Sequence, residues 1–319
     1  MQVVGVASGC GARDAGCEAG ADALRAMRIT AKLRARGVPV RWADMIRPAA
    51  AYRADTLKAV RKVCARLAKR VERIIAEGDM PIVVGGDHTS AIGTWKGAAR
   101  ALRGRGLIGL LWIDAHMDAH TPQTTESGML HGMPVACLLG FGYPELTEIA
   151  HGATLDPKCV CLYGVRSFER GEAQLLERLG VRVYFMEEIN RRGLRETLRE
   201  ARGVVSCASA GFGITLDLDA INPGDAPGVG SPAPAGMRGT ELVSALAAHA
   251  RDSNLIGVEV VEYNPYRDRE SATAGLVADA LVAILGGSSV GVVDAAKVMQ
   301  SDGHKAHDLP KAEHQTTGR

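Results

Sequence analysis

Short apolar runs rich in Val, Ile and Leu alternate along the chain with longer stretches whose apolar residues recur at helical spacing. The short runs predict strands over residues 3–7, 38–43, 81–84, 107–113, 160–163, 181–185, 213–217 and 255–261. The longer stretches predict helices near 20–36, 54–78, 90–103, 132–139, 170–179, 192–202, 239–252 and 271–286. Eight strands with helical crossovers predict one α/β domain of three layers, an eight-stranded parallel sheet with helices on both faces. Binding sites in such sheets lie beyond the C-terminal ends of the strands. The domain is expected over residues 1–300, followed by a disordered polar tail over 301–319. That tail holds three of the nine histidines, which are read as solvated rather than as ligands.

Composition agrees with this pattern. A chain of 319 residues suffices for one large α/β domain or two small ones. Apolar residues make up 46%, enough for a sizeable core, while aromatics are only 4%, which suits close packing of helices on a sheet. The net charge is +2 with both signs interspersed, so neither nucleic acid nor an anionic membrane is expected as a partner. The cysteine count is odd, at seven, and no CxxC pair occurs; a reducing cytoplasm fits better than a disulfide framework. Cys159 and Cys161, flanking Val160 in a strand-like run, are read as buried thiols. The first residues lack a basic n-region and read as a strand rather than a signal peptide. No apolar stretch reaches membrane-spanning length; 274–287 is interrupted by Asp279.

Three segments carry candidate chemistry, each at the C-terminal end of a predicted strand. Asp114-Ala-His116-Met-Asp118 follows the run 107–113. If the chain stays extended, the three side chains point the same way and form half of a site for a borderline divalent metal. Gly85-Gly86-Asp87-His88 follows the run 81–84; the glycines permit a tight turn, and His88 reads as a ligand or as the start of a helix. Asp217-Leu-Asp219 ends the run 213–217, and by itself reads equally as two solvated loop carboxylates. Together they place Asp114, Asp118, Asp217 and Asp219 in one cluster. Four clustered carboxylates are unfavourable without cations, and two divalent ions balance their charge. His88 and His116 would complete the ligand shell, and mixed oxygen and nitrogen ligation suits Mn²⁺.

These three blocks resemble the signature motifs of the ureohydrolases, the family of arginase, agmatinase and related guanidino hydrolases. Trp112-Ile-Asp-Ala-His-Met-Asp118, Ser127-Gly-Met129-Leu-His131-Gly-Met-Pro134 and Val258-Glu-Val-Val-Glu262-Tyr-Asn264-Pro265 are similar to the arginase branch. The resemblance runs from the first strand to about residue 290. It implies the arginase-like fold, two Mn²⁺ per subunit and a homotrimer or homohexamer. One metal would take His88, Asp114, Asp118 and Asp217, and the other Asp114, His116, Asp217 and Asp219. The resemblance implies that water activated there attacks a guanidinium carbon, yielding an amine and urea, with Asp219 handling the proton. His131 matches the family's proton-shuttling histidine and Glu262 its guanidinium-pairing glutamate. On the residues alone, His131 reads first as a helix-start residue and Glu262 as a solvated strand-end charge; the resemblance reverses both readings.

The rim of the expected pocket departs from the family pattern. His120 and Met129 stand where arginases have asparagines, and Glu169 where an aspartate is usual, while Ser127 is kept. These four, with Glu262, are the candidate substrate-binding residues. Met129 offers no strong donor to a carboxylate; His120 does. L-arginine is the first expected substrate, with agmatine, guanidinobutyrate or guanidinopropionate as alternatives. An alternative of another class is a catalytically silent metal-binding regulatory subunit, against which the retention of His131 and Glu262 speaks.

Overall fold

The eight apolar runs become β1 (Gln2–Val6), β2 (Arg41–Ile46), β3 (Pro81–Val84), β4 (Gly109–Ile113), β5 (Val160–Val165), β6 (Arg182–Phe185), β7 (Phe212–Asp217) and β8 (Leu255–Val261). They pair in parallel throughout, in the order β2-β1-β3-β8-β7-β4-β5-β6. The computed structural model describes residues 1–50 and 54–288. Residues Met1–Ser288 form a single compact unit. The expected tail 301–319, with the last part of the expected 1–300 domain, lies outside the described residues.

Alternation along each strand sends neighbouring side chains to opposite layers. Leu111 and Ile113 of β4 join a core with the helices Gly20–Ala26, Leu194–Val205, Gly239–Ala247 and Ala272–Leu285. Leu110 and Trp112 join the opposite core, against Thr56–Ala76, Ser90–Leu102 and Arg170–Leu179. The expected eight-stranded three-layer α/β architecture is therefore present.

Element boundaries moved where local backbone chemistry overrode periodicity. The helix expected near 20–36 is two, Gly20–Ala26 and Ile29–Ala35, broken at Arg28 in the left-handed conformation (φ 57°). The strand expected over 38–43 starts at Arg41, after Pro39, which has no N–H to give a ladder. The helix expected from 132 is a 3₁₀ turn, Leu130–Gly132, followed by Pro134–Leu138 with proline in its first turn. Near 192–202 two helices, Met186–Arg192 and Leu194–Val205, meet at Gly193 (φ 96°).

The strand order matters for function. β3, β8, β7 and β4 are consecutive in the sheet. The segments carrying His88, Glu262, Asp217–Asp219 and Asp114–Asp118 leave the C-terminal ends of these four neighbours. Sheet topology thus converges residues up to 174 positions apart, such as His88 and Glu262.

Candidate active site

Turns, not an extended chain, aim the metal-type ligands. β4 stops at Ile113, and Asp118 has φ 48°, a left-handed backbone rare for a non-glycine residue. The reading of Asp114, His116 and Asp118 as alternate positions on an extended strand is therefore corrected: the chain bends after Ile113, and Asp114 and Asp118 both reach His88 Nδ1. Asp217 is the last residue of β7, and its Oδ1 accepts the backbone N–H of Asp219 (2.9 Å), capping the 3₁₀ turn Leu218–Ala220. Gly85 and Gly86, both with positive φ, make the turn from β3 toward His88, and a Cβ on Gly85 would lie 2.7 Å from the Ala21 backbone nitrogen.

Three carboxylate oxygens surround one ring nitrogen. His88 Nδ1 lies 3.2 Å from Asp114 Oδ2, 3.0 Å from Asp118 Oδ2 and 3.1 Å from Asp217 Oδ2. His116 Nδ1 lies 3.1 Å from Asp219 Oδ2 and 3.5 Å from Asp114 Oδ1. Asp114 thus presents one oxygen to each histidine. Its Oδ2 also accepts from Trp112 Nε1 (2.8 Å) and its Oδ1 from the His116 backbone N–H (2.7 Å). The Trp112 ring stacks on the His88 imidazole at 4.0 Å and 12°.

This donor set fits divalent cations. Both nitrogens of buried His88 lack a hydrogen-bond partner, although three carboxylates converge on Nδ1. One ring N–H cannot serve three acceptors, whereas one cation at their focus can. Charge points the same way. Burial, then the charges of Asp219 and Asp114, push the Asp217 carboxyl well up. Burial, opposed by His116, holds Asp219 at about 6. Both imidazoles rise above their usual range against burial, through the carboxylates beside them, because in the bare chain they are the nearest counter-charge. The groups His88–Asp114–Asp118 and Asp114–His116–Asp219 each bring ligand atoms within 4.8 Å of one another.

Above these ligands a cavity of ≈ 150 Å³ opens. His131 and Glu262, with every candidate rim residue (His120, Ser127, Met129 and Glu169), line it together with His116, Asp118, Asp217 and Asp219. Glu262 also has a left-handed backbone (φ 63°). Its Oε1 accepts the His88 backbone N–H (2.9 Å) and lies 3.2 Å from His131 Nδ1. Its Oε2 is buried without a partner. Burial works against a proton on His131, but Glu262 outweighs it and raises the imidazole to about 9.

His120 lines the cavity, but both of its ring nitrogens are engaged by other side chains. Nε2 lies 2.8 Å from Glu169 Oε2 and 3.4 Å from Glu172 Oε2, and Nδ1 lies 3.2 Å from Thr124 Oγ1. Glu169 and Glu172 form a capping box on the helix Arg170–Leu179. Ser127 Oγ accepts the Met129 backbone N–H at 3.3 Å.

The profile of the Arginase family matches residues 1–286. The chain belongs to the arginase family. It is 34% identical to the arginase of Bacillus caldovelox, covering 91% of this chain and 99% of that one. It is 35% identical to the arginase of Brevibacillus brevis, covering 90% and 97%. The crystal structure of arginase from Bacillus subtilis superposes with a TM-score of 0.83 at 32% identity, over 91% of this chain and 99% of that one. Membership makes the chain a ureohydrolase acting on guanidino groups and implies a binuclear metal site, and the chain has two His/Asp groups able to hold metal ions.

Two residues at the site, Glu172 and Arg166, escaped sequence reasoning. Glu172 is buried, accepts the Ala119 backbone N–H (3.0 Å) and is pushed up to about 8 by burial and by Glu169. With Glu169 rather than Ser, Thr, Asp or Asn at the cap position, the spacing of three gave no capping-box signature in the sequence. Arg166 donates to the backbone carbonyls of Asp219 (2.6 Å), Ala233 (2.9 Å) and Pro234 (2.8 Å), holding the Asp219 turn against the loop that brings Ser231 to the cavity. Nothing local in the sequence marks that role.

Proposed function

We propose that the chain is a manganese arginase that hydrolyses L-arginine to L-ornithine and urea. The observation that carries this reading is Glu262: it lines the cavity with His116, Asp118, Asp217 and Asp219, and its Oε2 is buried without a partner. A planar guanidinium is its complement in charge and geometry. His88, Asp114, Asp118 and Asp217 would hold one ion, and Asp114, His116, Asp217 and Asp219 the other. Bound divalent ions supply a water whose proton is lost near neutral pH.

The remaining steps belong to side chains. Glu262 binds the guanidinium and orients its carbon toward the floor of the cavity. Asp219 accepts the proton from the attacking water. His131, held by Glu262, carries a proton to the departing amine nitrogen, a task suited to an imidazole. The rim residues His120, Ser127, Met129 and Glu169 face the far end of the substrate. No helix among the described residues is long and apolar enough to cross a membrane. A cytoplasmic setting and a homotrimer or homohexamer complete the proposal.

The test is urea release by the Mn²⁺-loaded protein over L-arginine, agmatine, guanidinobutyrate and guanidinopropionate. L-arginine should give the highest kcat/KM. Preference for another member would transfer the reading to that compound, and no urea from any would leave a metal-binding subunit without turnover.

A further inference from the structure

Two thiols meet at the end of the sheet opposite the site. Cys159 closes the 3₁₀ turn Pro157–Cys159 just before β5. Cys207 lies two residues beyond the helix Leu194–Val205. Their sulfurs are 2.9 Å apart, inside van der Waals contact, and Cys207 Sγ also lies 3.8 Å from the Lys158 carbonyl oxygen. Both cysteines are reduced. Cys207 is exposed and Cys159 is buried behind it.

We infer that Cys159 and Cys207 are a reversible disulfide site, closed by a low-molecular-weight disulfide through the exposed Cys207. The sulfurs already touch, at 2.9 Å against about 2.05 Å in a disulfide, so closing the bond asks for a short approach of the two side chains. The Cys207 thiol loses its proton and attacks one sulfur of RSSR, and the other sulfur leaves as RSH. The Cys159 thiol then displaces the second RSH. Two protein thiols and RSSR become one protein disulfide and two RSH. Cys159 is buried and its sulfur touches that of the exposed Cys207, which places it to resolve the mixed disulfide rather than to make the first attack.

The bridge would close a loop containing β5 and β6, the outer edge of the sheet, and the helix Leu194–Val205 packed across them. It would pin the end of that helix to the start of β5. A closed loop of this length restricts the unfolded chain, so oxidation should raise the melting temperature. The metal ligands leave the opposite ends of the strands, so turnover should be unchanged.

The test uses the full chain, metal-loaded, with oxidised glutathione as probe. Alkylation under denaturing conditions and peptide mass mapping should show two fewer free thiols and the Cys159 peptide joined to the Cys207 peptide. The melting temperature should rise, return after dithiothreitol, and stay constant in Cys159→Ser, which should stop at a glutathione adduct on Cys207. Overturning results are a stable Cys207 adduct in the wild-type chain, a link between other cysteines, no loss of thiols, or a bridge that leaves the melting temperature where it was.

Discussion

His131 Nδ1 and the backbone N–H of His88 meet on one oxygen of Glu262, at 3.2 Å and 2.9 Å, leaving the other oxygen free. One carboxylate therefore joins the proposed proton carrier, a metal-ligand segment and the proposed substrate contact. Its left-handed backbone is a local cost held in place by β8 and by these bonds.

The His131–Glu262 pair should make stability depend on pH. Folded His131 keeps its proton up to about 9, above the roughly 6.5 of an unfolded imidazole. The folded state then binds the extra proton, so the contribution is full below about 6.5 and disappears as pH rises through about 9. Denaturant unfolding of the metal-free chain and of His131→Gln, from pH 6 to 10, should show a stability difference that shrinks with rising pH. A constant difference would contradict the pairing.

Metal occupancy should follow the two faces of Asp114. His88→Ala and His116→Ala should each reduce Mn²⁺ content from two per chain to about one, whereas Asp114→Asn should impair both sites. Elemental analysis after gel filtration reads this directly. Chelation should lower the melting temperature of the wild-type chain, by an amount equivalent to about 4 kcal/mol for each ion when free metal was 1,000-fold above its Kd. Equal losses in all three variants would argue against bridging.

His120 should tune the substrate through KM. Its nitrogens are engaged by Glu169 and Thr124, so the ring fills the rim without presenting a free donor. His120→Asn releases Glu169 and supplies an amide donor to a substrate carboxylate. The kcat/KM ratio of L-arginine to agmatine should rise about tenfold, mainly through KM, since gaining one substrate hydrogen bond is worth roughly 1–3 kcal/mol. An unchanged ratio would remove His120 from specificity.

A buried carboxylate in β8 should matter for stability more than its lack of a catalytic role suggests. Glu259 accepts from Ser90 Oγ (3.1 Å), Thr94 Oγ1 (2.7 Å), Trp95 Nε1 (3.1 Å) and Thr215 Oγ1 (2.7 Å). It ties the helix that follows His88 to β7 and β8. Glu259→Ala strands these donors and should cost at least about 3 kcal/mol in urea unfolding, with Glu259→Gln costing less. Equal stability of the alanine variant would show that the donors find other partners.

How much of this was legible depends on range. Period-two and helical patterns, glycine turns and ligand spacing are local, and they placed the eight strands, the three layers and the segments bearing His88, Asp114–Asp118 and Asp217–Asp219. The family resemblance rested on short local blocks as well, including Ser127–Pro134 and Val258–Pro265. What remained open needed contacts between distant segments. The bend at Asp118, the single oxygen shared by His131 and His88, the clamp of His120 by Glu169 and Glu172, and the nest of hydroxyls around Glu259 all depend on which strands are neighbours. Local chemistry thus determined what each segment offers. The order β3-β8-β7-β4 decided which offers meet, because side chains far apart in sequence acquire partners only when the sheet sets their strands side by side.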